Sequence, residues 1–496
     1  MKHKFLIFNV ALLLSAGFAL SAAPRRKAAA KKAPVTETTI AVEQKIAATP
    51  ADDAKAKEAE MAKKYGISEE LLESIRRKRE PSETDLAKKK EGGYFTGLPL
   101  INSDPNTGVG YGVRLFYFNT GEKENPLFRR TPYRTQVYAQ FFQTTLGYQY
   151  HELNWDAPYV LNSLFRLRTN FVFEKNTWAN FFGNGSRSMN ALTSPSGTQY
   201  DKYADFNTDL RKISGGTTNA AYHHYSYEKP TFNVMLERDM FGGIVRPQIG
   251  LQISKYSIWD LAGTKVKADG GDAINNNTLL TQYQNAGLLV GRNGGWYNTA
   301  RVGVAIDTRD YEPDPNSGQL FEAVAEVSNQ ALGAATNFAR YTLSERVFYS
   351  PFPKLADLVI AGRGVYAQSV GDVPFYAMNQ FSSTERVYLG ALGGLRSLRG
   401  YKDNRFVANN IAIANLELRW TTFDFRVLGQ NFAPILVPFF DIGSAFDQPK
   451  DISKSQWRYA YGMGLRIAWN QATIIMVDYA MSKEDSNLFI NFNHIF

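Results

Sequence analysis

Arg399, in the run Leu398-Arg399-Gly400-Tyr401, and the carboxylates Glu417 and Asp441 are the side chains of this sequence whose types and spacing could do chemistry together. An arginine keeps its charge at any physiological pH, so one withdrawn from water needs acidic partners. A guanidinium can hold one carboxylate through two parallel hydrogen bonds. Glu417 lies in the alternating stretch 415–420 and Asp441 in 437–446. Parity puts both carboxylates on one side of neighbouring strands, with Leu416, Leu418, Phe440 and Ile442 on the other. Two carboxylates can also act as general acid and base, but an adjacent arginine and a strand setting favour a structural ion network. In that reading Gly400 permits a tight turn and Tyr401 packs on the inner wall. A pair exposed to water contributes only about 0–1 kcal/mol, whereas breaking one partner of a buried pair costs on the order of 3–5 kcal/mol.

Other chemistry is scarce. The chain of 496 residues has no cysteine, which excludes disulfides, thiolate metal ligands and a thiol nucleophile. It has no G-x-S-x-G nucleophile elbow. Its five histidines, His3, His151, His223, His224 and His494, lack ligand spacing apart from the adjacent pair His223 and His224. That pair falls in a long loop and is expected to be solvated, with adventitious metal binding as the alternative. No enzyme, cofactor or metal is therefore expected. The net charge of +9 does not point to nucleic acid. Much of the Lys and Arg lies in 24–92 among acids, and no nucleic-acid motif accompanies it.

The elements that must position Arg399 and its carboxylates begin after an export signal. Lys2 and Lys4, the apolar run 5–20 and the small residues at 21–23 read as a signal peptide over 1–23. Residues 24–52 are rich in Ala, Lys, Pro and Thr and read as disordered. Residues 52–80 read as a charged helix or helical hairpin, a solvated tether or a small partner-binding helix. From Gly93 the period changes to two. Ala300, Val302, Val304 and Ile306 oppose Thr299, Arg301, Gly303 and Asp307; Phe165, Leu167, Phe171 and Phe173 oppose Arg166, Arg168, Asn170 and Glu174. A mean hydropathy of −0.32 beside 14% aromatic residues suits a membrane barrel, whose strands alternate lipid-facing and lumen-facing side chains. Such strands need about ten residues to cross a bilayer at a tilt.

Sixteen segments meet this description: 94–101, 109–119, 132–143, 146–156, 163–174, 226–238, 243–257, 296–308, 318–329, 338–350, 355–368, 409–421, 433–446, 457–469, 472–482 and 487–496. The expected fold is therefore all-β: a 16-stranded antiparallel transmembrane β-barrel over 93–496, preceded by a short disordered-to-helical periplasmic segment over 24–92. With a periplasmic N-terminus the long loops 175–225, 258–295 and 369–408 all fall outside, and most of the short turns fall inside, the asymmetry of outer-membrane barrels. The turn at 421–433 is longer than that rule favours. The final strand is expected to run to the last residue, so that it can close on the first. Both termini are then periplasmic.

The ordered set LRGY, then NLELRW, then FFDIGSAF, then a final strand with Phe492 and a terminal Phe496, resembles the outer-membrane insertase and two-partner-secretion superfamily, also called the bacterial surface antigen family. Residues 307–321 and 97–112 also look like family segments, and the resemblance covers 93–496. It implies that the Arg399 tip of the sixth surface loop folds into the lumen and meets Asp441 as a latch. It implies that Phe492 and Phe496 form the C-terminal recognition strand, with His494 a departure from the pattern. Since 24–92 lacks strand-like alternation, the resemblance implies a short member without POTRA domains. The implied activity is insertion or translocation of protein or lipid, with membrane lipids and other outer-membrane or periplasmic proteins as partners. The first strand, containing Gly and Pro, is expected to pair imperfectly with the last and leave a lateral seam. A surface-exposed binding or adhesion barrel, a structural partner in a larger complex, and a passive pore remain the alternatives.

Overall fold

The alternation of side chains sets the architecture, because each strand can bury one face only by joining neighbours with the same parity. The computed structural model describes residues 50–76, 86, 89–104, 108–310, 312, 314–352, 357–384, 389–390, 392–423, 425–427, 430–469, 473–492 and 494–496. The expected signal peptide and the stretch 24–49 lie outside the described residues.

Sixteen long strands follow in order: β1 (Gly93–Asp104), β2 (Gly108–Asn119), β3 (Thr135–Thr144), β4 (Gln149–Ala157), β5 (Phe165–Asn180), β6 (His224–Arg238), β7 (Val245–Asp260), β8 (Thr299–Asp307), β9 (Gly318–Ser328), β10 (Phe338–Tyr349), β11 (Leu358–Gly371), β12 (Asn410–Thr421), β13 (Gln430–Phe446), β14 (Arg458–Trp469), β15 (Thr473–Ser482) and β16 (Ser486–Phe492). Each pairs antiparallel with the next. The result is one barrel sheet, to which two short strands, Gly294–Trp296 and Phe425–Val427, are added. The second explains the long turn at 421–433: Phe425, Arg426 and Val427 pair with Phe432, Asn431 and Gln430, so the segment extends a hairpin. The expected third strand, 132–143, is observed as Thr135–Thr144, preceded by a short helix over 126–130 that Asn125 caps.

The two faces differ as the sequence dictates. Val302, Ile306, Leu416, Leu418, Phe440, Tyr461, Met463 and Leu465 are exposed on the outer wall, while Arg301, Arg340, Glu326, Glu417, Asp441, Arg466 and Asp478 are buried on the inner one. One end of the barrel carries short turns. The other carries the loops 181–223, 261–298 and 372–409, which fold into a cap with small sheets (Leu192–Thr193 with Gln199–Tyr200; Lys265–Ala268 with Gly271–Asn275). Aromatic clusters hold this cap together, among them Phe182, Tyr203, Phe206 and Tyr222. His223 and His224, expected in water, are 1% and 2% exposed. Phe182 stacks on His223 and Trp178 on His224, and Tyr203 meets His223 Nε2 at 3.1 Å. The aromatic neighbours, spread over a loop too irregular for periodicity to show, are what bury the pair.

The two sheet edges are unlike the expectation. Among the described residues no ladder joins β1 to β16. The last strand ends at Phe492, and residues 494–496 leave the sheet and are buried on its inner side. Ile495 and Phe496 pack with Phe348, Val359, Ala361 and Met476, Arg419 donates to the Phe496 carbonyl at 2.9 Å, and His494 meets Asp314 at 3.1 Å. The apolar and charged partners available inside the barrel outweigh three more residues of edge ladder. Two further helices, α1 (Pro50–Lys64) and α2 (Glu69–Arg76), precede β1, and the helix at 126–130 is α3. Residues 58–76 dock on the short-turn end, where a solvated tether was one of the two expectations.

Burial holds the His223 imidazole well below its ordinary range, with His224, Arg405 and Lys402 adding repulsion. A histidine depressed in this way stabilises the fold fully above its unfolded pKa of about 6.5, and that contribution is lost as pH falls below it. Limited proteolysis of the cap within 181–223 should therefore accelerate several-fold between pH 7.5 and 5, and less so in His223→Phe. Pressure-free cutting rates at the two pH values, read by mass spectrometry, check this; equal rates would contradict it.

Candidate functional site

The loop between β11 and β12 runs from residue 372 to 409 and re-enters the barrel. Its tip is shaped by a bridge between Leu392 and Phe406 and by Gly393 at φ 109°, where a Cβ would meet the Lys402 carbonyl oxygen at 2.1 Å. Leu398 and Tyr401 are buried in an apolar cluster with Leu392, Phe406, Ile411 and Ile413, and Tyr401 meets Phe406 edge-on at 5.0 Å. Gly400 sits in the expected turn, which the Tyr401 N–H closes onto the Leu398 carbonyl at 3.1 Å, but glycine is needed there for a further reason. Its φ lies outside the left-handed region. A Cβ there would sit 2.7 Å from the Met481 backbone and 2.9 Å from the Ala460 Cβ, so the tip presses its backbone against β14 and β15.

That approach delivers Arg399 to the inner wall, 0% exposed. Its Nε and Nη2 donate to the two oxygens of Asp441 at 2.8 Å each, and its backbone N–H donates to Asp441 at 3.3 Å. Nη1 donates to Glu417 at 2.8 Å and to Asp478 at 2.9 Å. The guanidinium lies 3.4 Å over the Phe439 ring, which supplies its negative face. The strands thus bring together Arg399, Glu417 and Asp441, the three residues singled out from the sequence.

The wall supplies more than those two carboxylates. Asp478 on β15 pairs with Arg466 on β14, and Arg419 donates to Glu417 at 3.0 Å. Asn415 donates to Asp441 Oδ1 and to the Ser397 carbonyl, at 2.7 Å each, and accepts from Arg363. Arg399, Arg419 and Arg466 face Glu417, Asp441 and Asp478, so this core of the network is neutral. Neutrality matters because the effective cost of burying an unpaired ion is several kcal/mol. The sequence did contain a signal for the missed members: Arg466 is one of two charged residues, with Arg458, on the inward parity of β14, and Asp478 is the charged residue on that of β15.

The loop has further anchors that sequence reasoning missed. Ser382 donates to Glu326 at 3.0 Å, while the Ser383 hydroxyl and the Thr384 hydroxyl and N–H converge on Glu322 Oε1 at 2.6–2.8 Å. Both acids belong to β9. At the tip, Gly400 O accepts from Ser482 at 2.7 Å, Arg399 O from Asn487 at 3.1 Å, and Arg405 grips Glu484 through two bonds. The loop therefore spans from β9 to the outer turn of the β15–β16 hairpin. Of the two terminal phenylalanines, Phe492 is the last paired residue of β16, opposite Ile475, and Phe496 lies beneath Arg363 and Arg419, 5.0 and 5.2 Å from their guanidinium carbons. Among the described residues no group of three or more His, Asp or Glu could hold a metal ion.

A family model described as the Omp85 superfamily domain matches residues 105–493. A second, described as a domain of unknown function (DUF5982), matches residues 71–134. No curated protein matches the chain. Among solved structures, one similar fold is BamA from Haemophilus ducreyi lacking POTRA domains 1–3, at 13% identity and a TM-score of 0.47, covering 82% of this chain and 70% of that one. Another is CdiB from Escherichia coli, at 11% identity and a TM-score of 0.48, covering 81% and 61%. CdiB from Acinetobacter baumannii is also similar, at 10% identity and a TM-score of 0.40, covering 82% and 60%. The chain thus spans about three fifths of either CdiB.

Because Asp478 shares Arg399 with Asp441, Asp478→Asn should destabilise the barrel about as much as Asp441→Asn, on the order of 3–5 kcal/mol for an uncompensated buried charge. Gly400→Ala should cost about 1–3 kcal/mol through overpacking. Urea unfolding in lipid vesicles, followed by tryptophan fluorescence, measures all three. Losses below about 1 kcal/mol in the Asp478 variant would remove it from the network.

Proposed function

This chain belongs to the Omp85 superfamily, and from that premise we propose that it inserts or translocates protein or lipid through a latch-gated barrel in the bacterial outer membrane. Barrels of this superfamily reside in that membrane, and the reading takes 93–496 as the membrane domain. Residues 24–92 and both termini face the periplasm, the capped end faces outward, and the loop 372–409 acts as a latch. Its partners would be lipids of the surrounding bilayer and, on the periplasmic side, envelope proteins that deliver a client.

The observation that carries this reading is the pairing pattern. Each of the fifteen joints between consecutive strands is hydrogen-bonded, yet among the described residues the joint between β1 and β16 has no ladder. A strand edge without a partner is a template for another strand. An unpaired edge inside lipid is costly, because its N–H and C=O groups have no water to bond. A client strand, or locally thinned lipid that admits water, would satisfy those groups. Inside, the loop and its ion network are bonded to the wall from β9 to β16, which favours transient passage over a standing pore. The ordered cap over 181–223 and 261–298 favours surface binding as the second reading, since those loops present a fixed outer face.

The absence of native cysteine makes a direct test possible. Phe95→Cys and Ile490→Cys, both on exposed outer positions of the two edges, can be joined by a bis-maleimide in proteoliposomes. Two readouts follow: insertion of an unfolded eight-stranded barrel client, and dithionite-monitored scrambling of a fluorescent lipid. Locking the edges should abolish whichever of these the unlocked protein performs, and reversal with a cleavable linker should restore it. Full activity with the edges locked would overturn the seam reading. A steady, large conductance from the unlocked protein would favour the passive pore.

A further inference from the structure

We propose that α2, α3 and residues 89–92, which lie almost wholly within the 71–134 matched by a domain of unknown function, form a clamp that fixes the short-turn end of β1, and that undocking α2 frees that edge of the barrel. The inference rests on the seam proposed above, and it gives that seam a control point.

Helix α2 is amphipathic over only eight residues. Leu71, Leu72 and Ile75 are buried, while Glu69, Glu70 and Glu73 face water. With Ala62 and Ile67 these side chains pack on Leu127, Tyr159 and Leu164. Those three belong to different places: Leu127 to α3 in the β2–β3 turn, Tyr159 and Leu164 to the β4–β5 turn. The β6–β7 turn joins them through Asp239, whose Oδ2 accepts from Tyr159 at 2.6 Å and from Ser74 of α2 at 3.4 Å. One short helix thus bridges three successive turns at one end of the barrel. Tyr65 adds a 2.5 Å bond to Glu122, and Asn162 donates to the Tyr65 carbonyl at 2.7 Å.

The β2–β3 turn in turn grips the chain entering β1. Gly92 and Thr120 exchange backbone bonds with the facing strand end, Gly92 N–H to Gly121 O and Thr120 N–H to Gly92 O, at 3.0 Å each. The Thr120 hydroxyl donates to Lys90 O at 2.6 Å, and Lys123 N–H donates to Glu91 at 2.9 Å. The Lys89 ammonium donates to the Thr131 carbonyl at 2.6 Å and to that of Phe128. The line of contact therefore runs from α2 through α3 to residues 89–92 and β1. The match over 71–134 starts at the first buried leucine of α2 and ends just before β3 begins.

The clamp acts on the edge that needs it. Among the described residues β1 is laddered on one side only, to β2, and its outer positions Phe95 and Ile101 are 78% and 79% exposed. Small docked elements held by few apolar side chains open at the low end of a protein's stability range. A helix of this size is therefore suited to be displaced by a periplasmic protein while the rest of the barrel stays intact.

The test uses the full chain in nanodiscs, with spin labels at Phe95→Cys and Ile490→Cys and pulsed-dipolar distances as readout. A control pair sits at Val327→Cys and Tyr341→Cys, on the laddered strands β9 and β10. Leu72→Asp with Ile75→Asp undocks α2, which amide exchange of residues 69–76 verifies. The expected result is a longer and broader distance distribution across the seam and an unchanged control pair. If this variant fails to assemble as a heat-modifiable barrel, Leu72→Ala with Ser74→Ala is judged by the same criterion at a smaller shift. An unchanged seam distance with α2 verifiably undocked overturns the clamp. The readout is a distance, so loss of client or lipid activity elsewhere would sink the transport reading and leave the clamp standing.

Discussion

One guanidinium without water sets the terms for the rest of the structure. Arg399 is wholly buried, and a buried ion is tolerable only when its charge and its donors are met. Its side-chain donors are spread over three carboxylates from three strands, and two more arginines balance the surplus acid. No single strand could do this. The registers of β12 through β15 must all be correct for Glu417, Asp441, Arg466 and Asp478 to converge, since a slip of one residue would turn any of them outward into lipid. The network therefore reports on the sheet as much as on the loop.

From that constraint follows an asymmetry between the two edges of the barrel. The loop that carries Arg399 also holds the outer turn of the β15–β16 hairpin through Ser482, Glu484 and Asn487. Residues 494–496 are tied inside by Arg419 and by apolar packing. The β16 edge is thus held from within at both its ends. The β1 edge is held from below, through Lys89 to Gly92 and the turn that α2 covers. Two edges restrained by different devices can be released independently, which is what a seam with a regulated opening requires.

Much of this was legible in the sequence because period two is a strong signal over ten-residue strands. Sixteen strands, their faces and the convergence of Arg399 with Glu417 and Asp441 follow from parity and from the need of an arginine for acids. What parity could not reveal depends on contacts between distant segments. His223 and His224 look like loop histidines until Trp178 and Phe182 close over them. Gly400 is legible as a turn glycine, but what excludes a side chain there is backbone 81 residues further on, at Met481. The tail at 494–496 alternates like the strand before it, and only the partners inside the barrel draw it away. Helix α2 reads as a charged tether because three apolar residues in eight are too few to show, from sequence, which surface they cover.

The central claim is that Arg399 and Asp441 stabilise the inserted loop as a coupled pair. A double-mutant cycle of Arg399→Met and Asp441→Leu, by urea unfolding in vesicles, measures that coupling directly. Each single change should cost on the order of 3–5 kcal/mol, and the double variant should cost far less than their sum, because neither partner is left buried alone. Additive costs, with a coupling below about 0.5 kcal/mol, would contradict the account.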